Sequence, residues 1–431
     1  MDRSPNILVL AVDSLRADHL GCYGQAHNTT PVMDEFARSG ALFEHFFCPA
    51  IPTHPSFTTF YTGQHPIDHN IVSHAGQTAL AAAIPTLPEL LLAQGYRTCA
   101  VDNMGWSRWP WFNRGYERYI DPSRRQKMPL MVSCETLNDS AIDFLRQPRS
   151  DPFFLFVHYW DVHTPYLPPE QYRRRFYQGG DPADPANESL APLFEHPLGK
   201  VWQDTWFSWL GGVTDAAYVD ALYAGALNYL DEKIGDVLQV LDELQLSEDT
   251  LVILYADHGE SLTEHGIFYD HHGLYDCCLQ VPLLLRWPAN IAAGQRRGDW
   301  AQHFDLTTTL LSAAGLEADS SMEGRDLLAA EQAGTKKIIS VECTWQAKWS
   351  LRSADYKFIL GREADYYGNP LRELYDLRSD KEEVHNIATE QAAVCAALEE
   401  ELEGWIRKRL ERAGRAQDPV VEQGITLGKR K

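Results

Sequence analysis

The chain has 431 residues, of which 44% are hydrophobic and 11% aromatic, so it can bury the core of one large domain or of one large and one small domain. Its 60 acidic and 38 basic residues give a formal net charge of −22, which argues against nucleic acids and anionic membrane surfaces as main partners. A site for small anions in so acidic a chain needs a local source of positive charge, and a bound metal ion is the natural supplier.

Strand-like and helix-like segments alternate over residues 1–334. In chain order, the pattern predicts a strand at 6–12, helices at 31–39 and 87–93, a strand at 96–101, a helix at 135–145, a strand at 152–158, a long helix at 216–244, strands at 250–255 and 281–286, and a helix at 304–314. This alternation predicts one α/β domain over residues 1–334, with a large, mostly parallel sheet sandwiched by helices.

The pattern changes after about residue 335. Short strands are predicted at 337–341, 349–352, 357–360 and 373–376, and a helix is predicted from 390 to about 412. We therefore expect residues 335–431 to form a C-terminal subdomain with a small antiparallel sheet, one helix and a loose tail that begins at Gly414.

Polar side chains follow three of the predicted parallel strands. Asp13 follows the first strand, Asp161 and His163 follow the strand at 152–158, and Asp257 and His258 follow the strand at 250–255. Parallel sheets place their sites beyond the C-terminal ends of strands, so these groups are expected to meet at one edge. Carboxylates and imidazoles together suit a divalent metal, although a carboxylate such as Asp13 can instead cap the next helix.

The sequence shows no signal peptide and no membrane span. The apolar run at 6–12 is too short for either role. The eight cysteines form no Cys-x-x-Cys pair, and the adjacent Cys277 and Cys278 are poorly placed for a disulfide. We therefore expect reduced thiols and a cytoplasmic protein.

Six segments carry motifs in a constant order along the chain: Asn6 to Gly24, Thr30 to Phe43, Thr53 to Gly63, Asp257 to Gly266, Leu274 to Leu283, and Glu373 to Leu377 with Asn386 to Ala388. Together they resemble the sulfatase family of the alkaline phosphatase superfamily. The resemblance spans nearly the whole chain, and it implies an alkaline-phosphatase-like α/β fold.

The resemblance also implies roles for individual residues. It places metal ligands at Asp13, Asp257 and His258, and the nucleophile at Thr53, which precedes a predicted helix at 56–61. In sulfatases the nucleophile position is Cys or Ser that is oxidised to formylglycine, and Thr cannot give that aldehyde. In superfamily members that act on phosphoesters, an unmodified Thr or Ser attacks, so we expect Thr53 to contact the metal and to act without formylglycine.

Other positions depart from the sulfatase pattern in a consistent way. Phe57 stands where the family has Arg, the run from Val101 to Met104 replaces the frequent Gly-Lys-x-His, and Asp270 is the nearest match to a Lys. The cations that would hold a sulfate are therefore missing, which favours a site whose positive charge comes from metal. Asn103, in the second of these positions, is a candidate substrate contact.

Five residues are candidates for a second metal ion or for substrate contacts: Asp161, His163, Asp270, His271 and His272. In one interpretation, some of them bind a second divalent ion that clamps the attacking and leaving oxygens. In the other, His163 and His272 are catalytic groups that hydrogen-bond around a single metal, with a His as general acid. The ligand types do not decide between Zn, Mn, Mg and Ca.

The favoured function is a metal-dependent hydrolase that uses Thr53 on phosphate diesters or phosphonate monoesters. The alternatives are a sulfate ester hydrolase with unmodified Thr, a phosphoryl transferase, and a catalytically inactive binding protein. The expected partner is a small anionic ester, and we expect neither nucleic acid nor membrane to be involved. The sequence does not decide whether the chain forms a homo-oligomer.

Overall fold

The computed structural model describes residues 4–105, 109–125, 132–196, 198–330 and 336–427. The strands in these residues are β1 (Asn6–Val12), β2 (Ala41–Phe47), β3 (Ala50–Ile51), β4 (Arg97–Val101), β5 (Arg118–Ile120), β6 (Phe153–Tyr159), β7 (Thr250–Ala256), β8 (Leu283–Arg286), β9 (Gln295–Gln302), β10 (Lys337–Glu342), β11 (Lys348–Ser353), β12 (Tyr356–Gly361) and β13 (Arg372–Asp376).

The α-helices in the same residues are α1 (Pro31–Arg38), α2 (Thr53–Thr62), α3 (Pro66–His69), α4 (Leu87–Ala93), α5 (Cys134–Leu145), α6 (Glu170–Arg173), α7 (Ala191–Glu195), α8 (Gly199–Asp204), α9 (Ala216–Glu243), α10 (Asp276–Leu279), α11 (His303–Ala313), α12 (Ala392–Arg412) and α13 (Pro419–Gln423). Short 3₁₀ helices lie at Ala17–His19, Gly21–Tyr23, Pro110–Asn113, Pro122–Arg125, Trp206–Leu210 and Glu264–Gly266.

A large, mostly parallel sheet forms the centre of the molecule, with strand order β5-β4-β6-β1-β7-β8-β2-β9. Only β8 runs against its neighbours β7 and β2 in this sheet, and the other pairs are parallel. The central strands β1, β6 and β7 are apolar runs that are buried almost completely, as expected for strands covered on both faces.

Two groups of helices cover this sheet. Helices α1, α5 and α9 pack together, and helices α2, α4 and α11 form the other group. Capping residues determine where some of these helices begin. The Thr86 amide donates to Glu89 Oε2 at 2.9 Å at the start of α4, and Asp215 accepts from the Ala217 amide at 2.9 Å at the start of α9. The predicted α/β architecture of the large sheet and its helices is confirmed.

A second, mostly antiparallel sheet has the order β13-β12-β11-β10-β3. Four of its strands come from the C-terminal region, with α12 in contact with β11 and β12. The fifth strand, β3, belongs to the N-terminal region and pairs in parallel with β10, so that Ile51 lies opposite Glu342. The predicted small sheet with its helix is present, and β3 ties it to the large domain. The predicted boundary at 334/335 lies outside the described residues, and the division into two domains stays a prediction.

The expectation of a loose tail from Gly414 was wrong for the residues through 427. Helix α13 docks there with Val420 fully buried, and both carboxylate oxygens of Asp418 accept from Trp349 Nε1, at 3.0 and 3.2 Å. A buried indole N–H needs an acceptor, so this contact fixes the segment to the second sheet. Residues 428–431 lie outside the described part of the chain.

Among the described helices, none combines the length and the apolar character that a membrane crossing requires. All eight cysteines are free. The cytoplasmic location stays a prediction.

Candidate active site

Thr53 is the first residue of α2 and directly follows β3 and Pro52. Its Oγ1 lies 3.2 Å from Asp13 Oδ2 and 3.3 Å from His258 Nε2, and the residue is 3% exposed. Helix α2 begins three residues earlier than predicted, so its positive N-terminal end lies at Thr53 itself. A hydroxyl in this position contacts a carboxylate, an imidazole and the end of a helix dipole.

Asp13, Asp257 and His258 meet because they follow adjacent parallel strands. β1 pairs with β7 in register, with Val12 opposite Ala256, so the residues after each strand emerge side by side. One ligand atom from each of the three residues lies within 4.8 Å of the others. His258 Nδ1 lies 2.9 Å from the Gly259 carbonyl oxygen, to which it donates, and this leaves Nε2 as the lone-pair nitrogen toward the carboxylates.

This cluster fits a divalent cation. All three residues are fully buried. Among the described residues, Asp13 and Asp257 form salt bridges only with histidines, so no Lys or Arg neutralises the two carboxylates. Asp257 Oδ2 has no hydrogen-bond donor in the described residues, although the atom is buried. Burial and the charge of Asp13 raise the pKa of Asp257 well above its usual value. A bound cation would satisfy the unpaired oxygen and remove the repulsion between the two carboxylates.

His158 and Asp102 also belong to this site. Sequence reasoning missed His158, and it noted Asp102 only as a residue of the run that replaces the family's Gly-Lys-x-His. His158 Nε2 is 3.5 Å from Asp13 Oδ2, and His158 Nδ1 is 2.8 Å from Asp102 Oδ1. The Tyr119 hydroxyl donates to the other oxygen of this carboxylate, Asp102 Oδ2. Burial opposes protonation of His158, but the two carboxylates raise its pKa to about 9. Phe57 packs on this imidazole with ring centroids 4.7 Å apart. The two carboxylates therefore favour the protonated form of the buried His158 ring.

Asp270, His271 and His272 form a second cluster whose ligand atoms also lie within 4.8 Å of one another. His271 Nδ1 is 3.2 Å from Glu260 Oε2, and His272 Nδ1 is 3.0 Å from Glu342 Oε1. A carboxylate on Nδ1 fixes the tautomer of each imidazole and leaves Nε2 for a ligand, which is the usual support for a metal-binding His. The sequence predicted this triplet but not Glu260 or Glu342.

His163 and Asp161, which follow the same strand, are placed differently. His163 Nδ1 donates to the Thr164 carbonyl oxygen at 2.6 Å, and its ring centroid lies 5.6 Å from that of His271. Asp161 instead accepts from the Cys134 amide at 3.2 Å, at the start of α5, and burial raises its pKa to about 6. Asp161 lines a different cavity, so its assignment to the metal cluster is corrected: its carboxylate supports a helix.

A cavity of about 410 Å³ opens over Thr53 and joins these groups. It is lined by Pro52, Thr53, His54, His74, Asn103, Met104, Trp109, Trp160, His163, His271, His272, Thr344 and Leu427. None of these described lining residues is Lys or Arg. The structure thus brings the candidate residues Thr53, Asn103, His163, His271 and His272 to one cavity, and Asp13, Asp257 and His258 cluster beside Thr53.

Comparison with known proteins gives two family matches. The model described as "Sulfatase" matches residues 5–316, and the model described as "N-sulphoglucosamine sulphohydrolase, C-terminal" matches residues 263–408. A curated N-acetylglucosamine-6-O-sulfatase from Bacteroides thetaiotaomicron is 23% identical, over 92% of this chain and 86% of its own length.

Two solved structures share the fold. The phosphonate monoester hydrolase of Agrobacterium radiobacter superposes with a TM-score of 0.75 at 22% identity, over 94% of this chain and 96% of its own. A protein in complex with its substrate D-glucosamine-2-N,6-O-disulfate has the same TM-score of 0.75 at 20% identity, over 97% of this chain and 99% of its own. The same architecture therefore occurs with a sulfated and with a phosphonate substrate class.

Proposed function

Because the chain belongs to the sulfatase family, and is thereby an ester hydrolase, we propose that it cleaves phosphate diesters or phosphonate monoesters with Thr53 as nucleophile. The observation that carries this proposal is the position of Thr53 Oγ1, within 3.3 Å of both Asp13 and His258. A hydroxyl attacks a phosphoester only when its proton is taken up and its developing charge is stabilised. The Asp13 carboxylate lies within reach of the proton, and a cation held by Asp13, Asp257 and His258 would stabilise the charge.

Sulfatase-family enzymes use a divalent metal, and Asp13, Asp257 and His258 would hold it here, with Thr53 as the adjacent hydroxyl. When bound, such an ion lowers the pKa of a neighbouring hydroxyl and takes up negative charge in the transition state. Asp270, His271 and His272 would hold a second ion, since the Nδ1 atoms of both imidazoles are engaged by Glu260 and Glu342.

The residues of the chain divide the remaining work. Thr53 Oγ1 gives up its proton toward Asp13 and attacks phosphorus, while the bond from phosphorus to the leaving oxygen breaks and that oxygen takes a proton. Water then cleaves the bond between Thr53 Oγ1 and phosphorus, which releases the phosphorus acid and restores the hydroxyl. The N-terminus of α2 favours the anionic group at that point. His163 lines the cavity with Nδ1 donating to the Thr164 carbonyl oxygen, so the protonated form of its imidazole has an Nε2–H to donate to a nonbridging oxygen or to the leaving oxygen. Asn103, in the cavity wall, supplies an amide to the substrate.

A phosphoester is preferred to a sulfate ester for two reasons. Thr53 cannot become formylglycine, and the described residues that line the cavity include no Lys or Arg to pair a sulfate. The second candidate is nevertheless a sulfate ester hydrolase with unmodified Thr53, which the similarity to the N-acetylglucosamine-6-O-sulfatase favours.

Turnover of aryl phosphodiesters, phenylphosphonate monoesters, aryl phosphates and aryl sulfates, measured side by side on the metal-loaded enzyme, tests the proposal. We expect the first two classes to give the highest kcat/KM, and Thr53→Ala to lose at least about 10³-fold. Thr62→Ala, at the other end of the same buried helix, is the matched control and keeps its activity. Sulfate turnover above that of the phosphoesters, or full activity in Thr53→Ala, overturns the proposal.

A further inference from the structure

The cavity over Thr53 has an aromatic wall that the reaction itself does not require. His54, the residue after Thr53, stacks against Trp109 with ring centroids 3.8 Å apart and an interplanar angle of 35°. His54 Nδ1 also lies 2.5 Å from His74 Nδ1, so the imidazole is held from a second side. A rigid pair of rings is thus fixed one residue from the nucleophile.

The rest of the lining extends this apolar surface. Met104, Trp160, Pro52 and Leu427 line the same cavity, whose volume of about 410 Å³ is in the range of sites for small organic molecules, roughly 300–1,000 Å³. The described lining residues include no Lys or Arg that would pair a second anionic group of a substrate. The charged group of a substrate would bind beside Thr53 and the histidines, and its other end would contact the aromatic and aliphatic side chains of the lining.

We propose that this wall is a subsite for an uncharged aromatic substituent of the ester, which packs against Trp109 and the His54 ring while the phosphorus lies at Thr53. The inference rests on the proposed phosphoester function and names its substrate class. A flat ring gains most from such a surface, because aromatic faces and edges attract one another and the contact area leaves water. A sulfated saccharide gains little there, since its hydroxyls and anionic groups would lose water without partners.

Product-like phosphonates separate binding in this subsite from the chemistry of any leaving group. The dissociation constants of phenylphosphonate, methylphosphonate and 4-carboxyphenylphosphonate would be measured by calorimetry on metal-loaded Thr53→Ala, in which turnover cannot interfere. Phenylphosphonate is expected to bind about tenfold more tightly than methylphosphonate, and the 4-carboxyphenyl compound more weakly than phenylphosphonate.

Adding Trp109→Ala is expected to reduce the ratio between phenyl and methyl ligands to about twofold or less, and Trp109→Phe to restore most of it. Trp209, which is 42% exposed and outside the cavity lining, offers the control: Trp209→Ala keeps the tenfold ratio. Equal binding of the phenyl and methyl ligands, or a ratio that Trp109→Ala leaves unchanged, overturns the aromatic subsite alone. Failure of every phosphonate to bind overturns the subsite and the phosphoester function together.

Discussion

Glu342 Oε1 lies 3.0 Å from His272 Nδ1, although the two residues are 70 positions apart in the chain. Glu342 ends β10 in the second sheet, and His272 lines the cavity over Thr53. The same carboxylate accepts from the amides of Thr344 and Gln346, each at 2.7 Å. The second sheet therefore holds a candidate metal ligand through one fully buried carboxylate, so the C-terminal region takes part in building the site.

We expect Glu342→Gln to lower kcat/KM by about 10–100-fold, because an amide in place of the carboxylate turns an NH₂ group toward one of these donors and releases the His272 ring. Steady-state kinetics at saturating metal would measure the loss. Glu373→Gln is the matched control, since Glu373 is also buried on this sheet but pairs with Lys348 at 2.9 Å, away from the cavity. It is expected to lower stability without changing kcat/KM, and an equal loss in both variants would contradict a specific role for Glu342.

The elements that could be predicted from the sequence are those whose pattern is purely local. β1, β6 and β7 are apolar runs because both of their faces are covered, and they alternate with long amphipathic helices. β9 contains Arg296, Arg297 and Asp299, so its composition does not indicate a strand, and it forms by pairing in parallel with β2. β3 has only two residues and exists because β10 lies beside it. Such strands depend on partners distant in sequence.

The site divides in the same way. Asp13 and Asp257 directly follow a strand, Thr53 and His258 lie two residues past one, and the resemblance of the surrounding motifs marked all four. His158 and Glu342 lie inside β6 and β10, where a polar residue in a strand pattern is normally read as part of the sheet surface. His158 contacts Asp13 and Asp102, and Glu342 contacts His272. These partners are distant in sequence, so a local sequence pattern cannot predict the contacts.

Metal content per chain tests the two clusters separately. We expect two equivalents in the fully loaded wild-type enzyme, by elemental analysis after removal of excess metal. Asp257→Asn is expected to lose one equivalent and His271→Ala the other, because the two clusters use different ligands. A single equivalent in an active, loaded enzyme would contradict a second metal site at Asp270, His271 and His272. It would favour His272 as a hydrogen-bonding group or general acid instead.

Chelation gives an independent readout of the same ions. Removing metal leaves Asp13 and Asp257 as neighbouring buried carboxylates, so we expect the melting temperature to fall and to recover when metal is returned. At a free metal concentration 100 times the dissociation constant, one ion stabilises the folded protein by about 2.7 kcal/mol. A melting temperature that chelation does not change would contradict a stabilising metal ion at Asp13, Asp257 and His258.

Asp418 anchors the C-terminal segment through three groups. It accepts from Trp349 Nε1 at 3.0 Å, from Arg362 Nε at 3.0 Å, and from the Val420 amide at 2.8 Å at the start of α13. Asp418→Ala leaves a buried indole N–H without an acceptor and is expected to lower the free energy of unfolding by about 2–3 kcal/mol. Urea unfolding would measure this loss. Asp181→Ala, at an exposed turn, is expected to change stability by no more than about 0.5 kcal/mol, and a similar small effect for Asp418→Ala would show that the tail contributes little.

Cys277 is expected to be the most reactive thiol of the protein. Its Sγ lies 3.9 Å from Cys278 Sγ, and it lines a cavity of about 270 Å³ together with Arg16 and His265. The Cys278 thiol, followed by His265 and Arg16, lowers the pKa of Cys277 to about 6 against the opposing effect of burial. Since the thiolate is the nucleophile, its alkylation by iodoacetamide should rise with a midpoint near pH 6, below the free-cysteine value of about 8.5.

Pulse alkylation between pH 5 and 9, followed by peptide mass spectrometry, measures this midpoint residue by residue. Cys22 is the internal control, because it is also partly exposed but burial and Asp34 raise its pKa to about 12, so it should react slowly at every pH in this range. His265→Gln removes one of the groups that favour the Cys277 thiolate and is expected to move the midpoint upward. A midpoint near 8.5 in the unaltered protein, or faster labelling of Cys22 than of Cys277, would show that the thiolate is not stabilised.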